Sequence, residues 1–160
     1  MNKAHLTAIT RNKMSAPVRC LIEKGLIKPQ HKVLDYGCGK GFDADQQGWD
    51  KYDPHFFPVA PRKSHYDIVI CQYVLNVIED PIDRQKAIEG AVSHIKKAFT
   101  ACFPNGGMAI QDAGTGFFIV RDDVKQDGYT SKGTWQGTIN LDDQMELIAH
   151  KKGGFKIYKY

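Results

Sequence analysis

The residues best equipped for chemistry form the run Val33-Leu34-Asp35-Tyr36-Gly37-Cys38-Gly39-Lys40-Gly41. Glycines at 37, 39 and 41 permit unusual dihedrals and let a ligand approach with no Cβ in the way. The run follows a compact apolar strand and precedes a polar helix start, whose unpaired N–H groups can hold an anionic group. Asp53 lies 18 residues beyond Asp35, near the end of the expected second strand. A carboxylate there can accept hydrogen bonds from both hydroxyls of a ribose. The chemistry implied is the holding of a nucleoside cofactor.

Charge and spacing narrow the choice. A dinucleotide fingerprint wants G-x-G-x-x-G and space for a pyrophosphate on the helix N-terminus. Here the spacing is G-x-G-x-G, and it follows Asp35 in the last turn of the strand. A carboxylate in that place repels a pyrophosphate and suits a ligand carrying ammonium and sulfonium groups. S-adenosylmethionine is such a ligand. Nicotinamide-type binding and a purely structural tight turn are the alternatives.

The elements that must position these residues can be read from the pattern. Ser15, Pro17 and Gly25 mark the start and end of a short amphipathic helix, with Val18, Leu21 and Ile22 at helical spacing. Lys32 to Tyr36, Trp49 to Asp53 and Tyr66 to Cys71 read as strands. Asp80-Pro81 opens the longest helix, whose stripe is Ile88, Ala91, Val92, Ile95 and Phe99. Met108 to Gln111 reads as a further strand. Asp142 is expected to cap a helix bearing Met145, Ile148 and Ala149 and stopped at Gly153-Gly154, before a terminal strand from Phe155 to Tyr160. Strands alternating with helices predict an α/β, Rossmann-like fold: an open, mostly parallel sheet with helices on both faces. Ligands in such sheets bind beyond the carboxyl ends of the strands.

Leu34 to Gly41 resembles motif I of class I S-adenosylmethionine-dependent methyltransferases. A closer resemblance, to the methyltransferases associated with DNA phosphorothioation, covers most of the chain. It is carried by Thr10 to Arg19 (TRNKMSAPVR), Tyr52 to Phe56 (YDPHF), Tyr73 to Pro81 (YVLNVIEDP) and Thr130 to Gln136 (TSKGTWQ). The resemblance implies a cofactor site at Asp35, Gly37, Gly39 and Asp53, to which Tyr36, Cys38 and Arg11 are added as neighbours. It leaves the substrate open. The chain also departs from a full class I domain. Only Phe42 to Gln47 separates the glycine loop from Gly48, so the first sheet helix has two turns at most. Between Asp53 and Tyr66 there is little space for the usual second helix and third strand. Because that strand normally supplies the adenine contact, Gln72 and Tyr73 become the expected adenine neighbours. The terminal antiparallel pair is expected to be reduced.

Methyl transfer is an in-line displacement at an activated carbon, so the protein chiefly aligns the partners in a dry site. Catalytic residues can then be sparse. The tetrad Cys71-Gln72-Tyr73-Val74 lacks the Asp/Asn-Pro-Pro-Tyr of enzymes that methylate exocyclic base amines, and Cys71 lacks the preceding proline of a cytosine-C5 nucleophile. Asn76 and Asp112 are the catalytic candidates. Asp112 would end a sheet strand on the cleft side. Arg11 and Lys13 could cover a cofactor carboxylate or hold a phosphate, and Trp135 could stack on a base. In each case the bland alternative is a cap, a turn, a solvated arm or a core edge.

Composition bounds the rest. At 160 residues, 42% hydrophobic and 25% charged, the chain predicts a single soluble domain over 1–160, with 1–14 as a basic N-terminal arm. The net charge of +4 permits an anionic partner such as nucleic acid or serves solubility alone. The cysteines at 20, 38, 71 and 102 show no CxxC pair, and the six histidines show no ligand spacing, so no metal is expected. With no apolar leader in Met1 to Lys13 and no long apolar run, no membrane partner is expected and a reducing cytoplasm is the expected compartment. These readings converge on a minimal methyltransferase using S-adenosylmethionine, with DNA favoured as acceptor. A small-molecule methyltransferase and a module that binds or sequesters the cofactor are the alternatives.

Overall fold

The computed structural model describes residues 3–160. The order of elements is α1 (Ala16–Glu23), β1 (Val33–Tyr36), α2 (Phe42–Gln47), β2 (Asp50–Tyr52), β3 (Ile68–Gln72), α3 (Pro81–Val92), β4 (Phe99–Cys102), β5 (Met108–Gln111), β6 (Thr115–Arg121), β7 (Gly128–Tyr129), β8 (Trp135–Gln136), β9 (Glu146–Lys151) and β10 (Phe155–Lys159). Short 3-10 turns span Ala4–Thr7 and Leu75–Val77. Six strands form one sheet in the order β2-β1-β3-β6-β10-β9. The first four are mutually parallel, while β10 runs antiparallel to both of its neighbours.

Strand alternation sends successive side chains to opposite faces, and both faces are covered. Leu34, Val69, Cys71, Phe118, Val120 and Tyr158 pack under α3 through Ile88 and Ala91. Val33, Ile68, Ile70, Phe117, Ile119 and Ile157 pack against Val18 and Leu21 of α1. The helix α3 begins as its sequence requires: Asp80 caps it by accepting the Ile82 N–H at 2.7 Å, with Pro81 in the first turn. As expected, α2 is only six residues long and residues 54–67 contain no helix or strand.

Four expectations are corrected. The stripe of α3 stops at Val92. The N–H groups of residues 64–66 donate to the carbonyls of Ser93 and His94, and the Lys96 N–H donates to the Tyr66 carbonyl, so the chain leaves the helix axis and Phe99 lies half-exposed in β4. The strand Met108–Gln111 exists, but it pairs only with β4 in a hairpin outside the main sheet. The sheet position next to β3 belongs instead to Thr115–Arg121, an apolar run that the pattern reading passed over. Residues 146–151 form a strand rather than a helix. Gly153, with φ of +69°, turns a hairpin instead of capping a helix. The terminal antiparallel pair is consequently complete.

Candidate functional site

The carboxyl ends of β1, β3 and β6 open on a cavity of about 700 Å³. Its floor is the glycine loop. The N–H groups of Gly37 and Cys38 both donate to the Tyr52 carbonyl, at 2.7 and 3.0 Å, which ties the loop to the end of β2. Gly37 has φ of +77°, and a Cβ there would overlap Val74 Cγ2. Glycine is required at this position on both counts.

Three carboxylates line this end: Asp35, Asp43 and Asp53. Asp35 is buried, and burial first, then the neighbouring Asp43, pushes its carboxyl up to about 7, with Arg11 acting the other way. Asp43, at the start of α2, accepts from Ser15 N–H at 3.0 Å and from Ser15 Oγ at 2.6 Å. Asp53 accepts Gly39 N–H at 3.0 Å through Oδ2, and His55 and Phe56 N–H at 2.9 and 3.0 Å through Oδ1. A carboxylate has about four lone-pair positions, so Asp53 keeps one for a ligand. Cys38 is a neutral thiol, pushed up to about 12 by its burial.

The arm forms the roof. Ala4, His5, Thr7, Ala8, Ile9 and Arg11 all face the cavity. Ala8 packs over Gly39, the rings of His5 and His55 stack with centroids 4.1 Å apart, and Lys40 Nζ donates to Thr10 Oγ1 at 2.7 Å. Met1 and Asn2, the first residues of the expected arm, lie outside the described residues. The opposite wall comes from Tyr73, Val74, Val77 and Ile78 after β3, and from Arg121, Asp123 and Gln136. Tyr73 has φ of +59°, a conformation that a bulky residue adopts at some cost. Among the described residues no cluster of His, Cys, Asp and Glu could hold a metal ion. No helix among them is long and apolar enough to cross a membrane.

Of the residues singled out from the sequence, Arg11, Asp35, Gly37, Cys38, Gly39, Asp53, Gln72 and Tyr73 are brought together here. Four are corrected in place or in task. Tyr36 turns away, its ring against Tyr52 and His94 at 5.0 and 5.7 Å and its hydroxyl over Gly90 on α3. Gln72 spends its carboxamide on Ser15 Oγ, 2.8 Å away, and on Asp43, 3.4 Å away, so it buttresses Asp43 and only Tyr73 remains as the side-chain neighbour expected for adenine. Asn76 is fully buried and bonds the Gly137 carbonyl and the Arg121 N–H at 2.7 and 2.9 Å; it is a staple between segments. Asp112 is exposed at the end of the β4–β5 hairpin, before β6 begins, and does not reach the cavity. Lys13 and Arg19 are exposed and likewise absent from its lining. The sequence reading missed Asp43, His55, Arg121, Asp123 and Gln136. Arg121 had a signal, because it ends an unbroken apolar strand.

No family model and no curated protein matches the sequence. Solved structures do match the fold. One is an S-adenosylmethionine-dependent methyltransferase of Thermotoga maritima, described as a possible histamine N-methyltransferase. It is 13% identical with a TM-score of 0.52, over 98% of this chain and 90% of that one. Another is the 1,6-didemethyltoxoflavin-N1-methyltransferase of Burkholderia thailandensis, solved with 1,6-didemethyltoxoflavin and S-adenosylhomocysteine. It is 12% identical with a TM-score of 0.54, over 99% and 77%. This chain has the Rossmann-like α/β fold of these S-adenosylmethionine-dependent methyltransferases.

Proposed function

We propose that this protein is an S-adenosylmethionine-dependent methyltransferase acting on a small molecule. The observation that carries the cofactor is the set of three carboxylates around a glycine floor, which repels a pyrophosphate and favours an ammonium and a sulfonium. The volume of about 700 Å³ suits a nucleoside-sized ligand with an acceptor beside it. Asp53 would take a ribose hydroxyl through its remaining lone pair. Asp35 would offset the positive charge, and Arg11 would reach the cofactor carboxylate. When bound, the cofactor supplies an activated methyl group. The chain's task is then to orient the acceptor and exclude water, a task that would fall to the roof of residues 4–11.

The acceptor reading follows from the same roof. Arg11 lines the cavity and is half-buried, and Lys13 and Arg19 stand away from the cavity. The two solved structures of like fold are described, one as a possible histamine N-methyltransferase and the other with 1,6-didemethyltoxoflavin bound, and both compounds are small nitrogen heterocycles. A second reading, a DNA base extruded into the cavity, rests on the motif resemblance at 73–81 and the charge of +4. It predicts saturable, salt-dependent binding to DNA, with a log–log slope near −2.7 for about three phosphate contacts.

Calorimetric titration with S-adenosylmethionine, S-adenosylhomocysteine and NAD tests the cofactor. The first two should bind and NAD should not. Asp53→Ala, which removes a charge-assisted acceptor worth about 1.5–3 kcal/mol, should weaken binding roughly ten- to hundredfold. Unchanged affinity in the folded variant would overturn the assignment of the ribose to Asp53.

A further inference from the structure

Between Lys97 and Asp112 the run 98–111 contains no Lys, Arg, His, Asp or Glu, in a chain whose residues are 25% charged. This run forms the β4–β5 hairpin, whose strands pair with each other and, among the described residues, with no other strand. The register sets Thr100 beside Ile110 and Cys102 beside Met108, so these four side chains share one face. All four are exposed, Met108 by 62% and Ile110 by 70%.

The same four residues carry the hairpin's outward-pointing backbone. The Phe103 N–H donates to the Gly107 carbonyl at 2.8 Å, which makes 103 and 107 a hydrogen-bonded pair. Bonded and non-bonded pairs alternate along an antiparallel ladder. The N–H and C=O groups of Thr100 and Cys102 therefore point out along the β4 edge, and those of Met108 and Ile110 along the β5 edge. The two edges differ in protection. Lys97 and Pro104 bound β4, and both residue types blunt an edge against further pairing. The β5 edge has neither, and it bears the two most exposed apolar side chains of the hairpin.

We propose that β5 is a self-association edge, where a second copy of this chain pairs its own β5 antiparallel about a two-fold axis at Ala109. Met108 of each copy then stands opposite Ile110 of the other, and two hairpins become a four-stranded sheet with one continuous apolar face. An antiparallel edge is self-complementary, because the two-fold rotation carries donors onto acceptors. The charges suit a second copy. Asp112 of each copy falls opposite the uncharged Gly106 of the other, and the two Asp112 stand six residues apart along the ladder. At about 3.4 Å per residue that is roughly 20 Å, well beyond the screening length of about 8 Å. Other occupants fit less well. Hydrocarbon would leave the outward N–H and C=O groups unbonded, which keeps open sheet edges out of a bilayer core. Nucleic acid would find no cation on the hairpin to meet its phosphates. The inference is independent of the methyltransferase reading.

Sedimentation of the full chain from about 5 to 500 µM tests it. The paired edge and face are smaller than the roughly 800 Å² per partner of a standard interface, so a reversible dimer with a Kd on the order of 100 µM is expected. Ile110→Lys sets a charge against Met108 of the other copy. It should raise that Kd at least about tenfold and leave the melting temperature within about 2 °C, because the side chain is mostly exposed. In a Cys102→Ser background, Ala109→Cys brings the two thiols together at the axis, in a non-hydrogen-bonded pair with Cα atoms about 4.5 Å apart and within disulfide reach. Mild oxidation should cross-link that variant into dimers and leave Thr100→Cys in the same background uncross-linked. A monomer at every concentration would overturn the proposal, as would a dimer indifferent to Ile110→Lys. Cross-linking through Thr100→Cys in place of Ala109→Cys would put the β4 edge at the axis and overturn it too. Flotation of a monomer with phosphatidylserine vesicles would make a lipid surface the occupant instead.

Discussion

At the glycine-loop end, one stretch of chain from Asp35 to His55 supplies the cavity floor, tied together by short-range bonds such as Asp53 to Gly39. At the far end, Arg121, Asp123 and Gln136 come from the end of β6, the connection beyond it and β8, and Arg121 is held through its N–H by Asn76, 45 residues earlier in the chain. The two ends therefore differ in what a single substitution can reach. The near end depends on backbone dihedrals that only particular residues allow, whereas the far end depends on side-chain bonds that can be exchanged one by one.

Adding one methyl group at each end should break this comparison most sharply. Gly37→Ala forces a side chain into a left-handed φ of +77° and into Val74. Strain and overpacking together should cost about 2–5 kcal/mol of unfolding free energy. S-adenosylmethionine affinity should fall by more than about a hundredfold as the loop shifts. Gly128→Ala, in β7 at the far end, has no atom within 4 Å of its added Cβ and should change stability by less than about 0.5 kcal/mol. Denaturant unfolding and calorimetry measure both. Similar losses in the two variants would show that the near end is not the backbone-limited one.

The same division explains what the sequence disclosed. A strand followed by closely spaced glycines and then an acid is a local pattern, so β1, the loop, α2, β2 and Asp53 could be read directly. The far end depends on which strand sits beside β3, and local pattern cannot decide that. Met108–Gln111 and Thr115–Arg121 are both apolar runs near glycines, and only the second has side chains that fill both cores. Misplacing the strand carried Asp112 to the cleft and left Arg121 unnoticed. Gly153 misled for a related reason, since a left-handed glycine ends a helix or turns a hairpin equally well. Asn76 looked reactive because a polar residue among apolar ones suggests chemistry; its actual partners are backbone groups 45 and 61 residues away.

Titration separates the two ends next. Folding raises the Asp35 carboxyl from 3.8 to about 7, chiefly through burial, so the folded state favours the neutral acid. The associated stability is complete below about pH 4 and is lost as pH rises through about 7. The protein without ligand should thus melt lower at pH 8 than at pH 5, and Asp35→Asn should flatten that difference. Ligand affinity should run the opposite way, because a cationic ligand selects the ionised acid. S-adenosylmethionine binding should tighten by up to about tenfold per pH unit until pH 7 and then level off. Asp123 behaves differently, since the Arg121 hydrogen bonds hold its carboxyl below the usual range. Asp123→Asn should leave the shape of both profiles intact between pH 5 and 8. A wild-type affinity independent of pH would remove Asp35 from the cofactor's surroundings.

The smallest effect is expected from the roof, a separate stretch of chain whose contacts are to the glycine-loop end. No residue of the Ala4–Thr7 turn is fully buried, and the roof is held by the His5–His55 stack, the Ala8 contact with Gly39 and the exposed Lys40–Thr10 bond. Exposed contacts of this kind contribute little to global stability. A chain beginning at Met14 keeps Ser15 and its bonds to Asp43. Its melting temperature without ligand should therefore stay within about 2 °C of the full chain, the shift expected for less than about 0.5 kcal/mol in a domain of this size. Losing about 1 kcal/mol of ligand-facing contact should weaken S-adenosylmethionine by about fivefold, mostly through faster release. Thermal melts and stopped-flow dissociation read the two quantities separately. A large drop in melting temperature would make residues 3–13 part of the fold, and unchanged release would mean that the roof does not close over the cofactor.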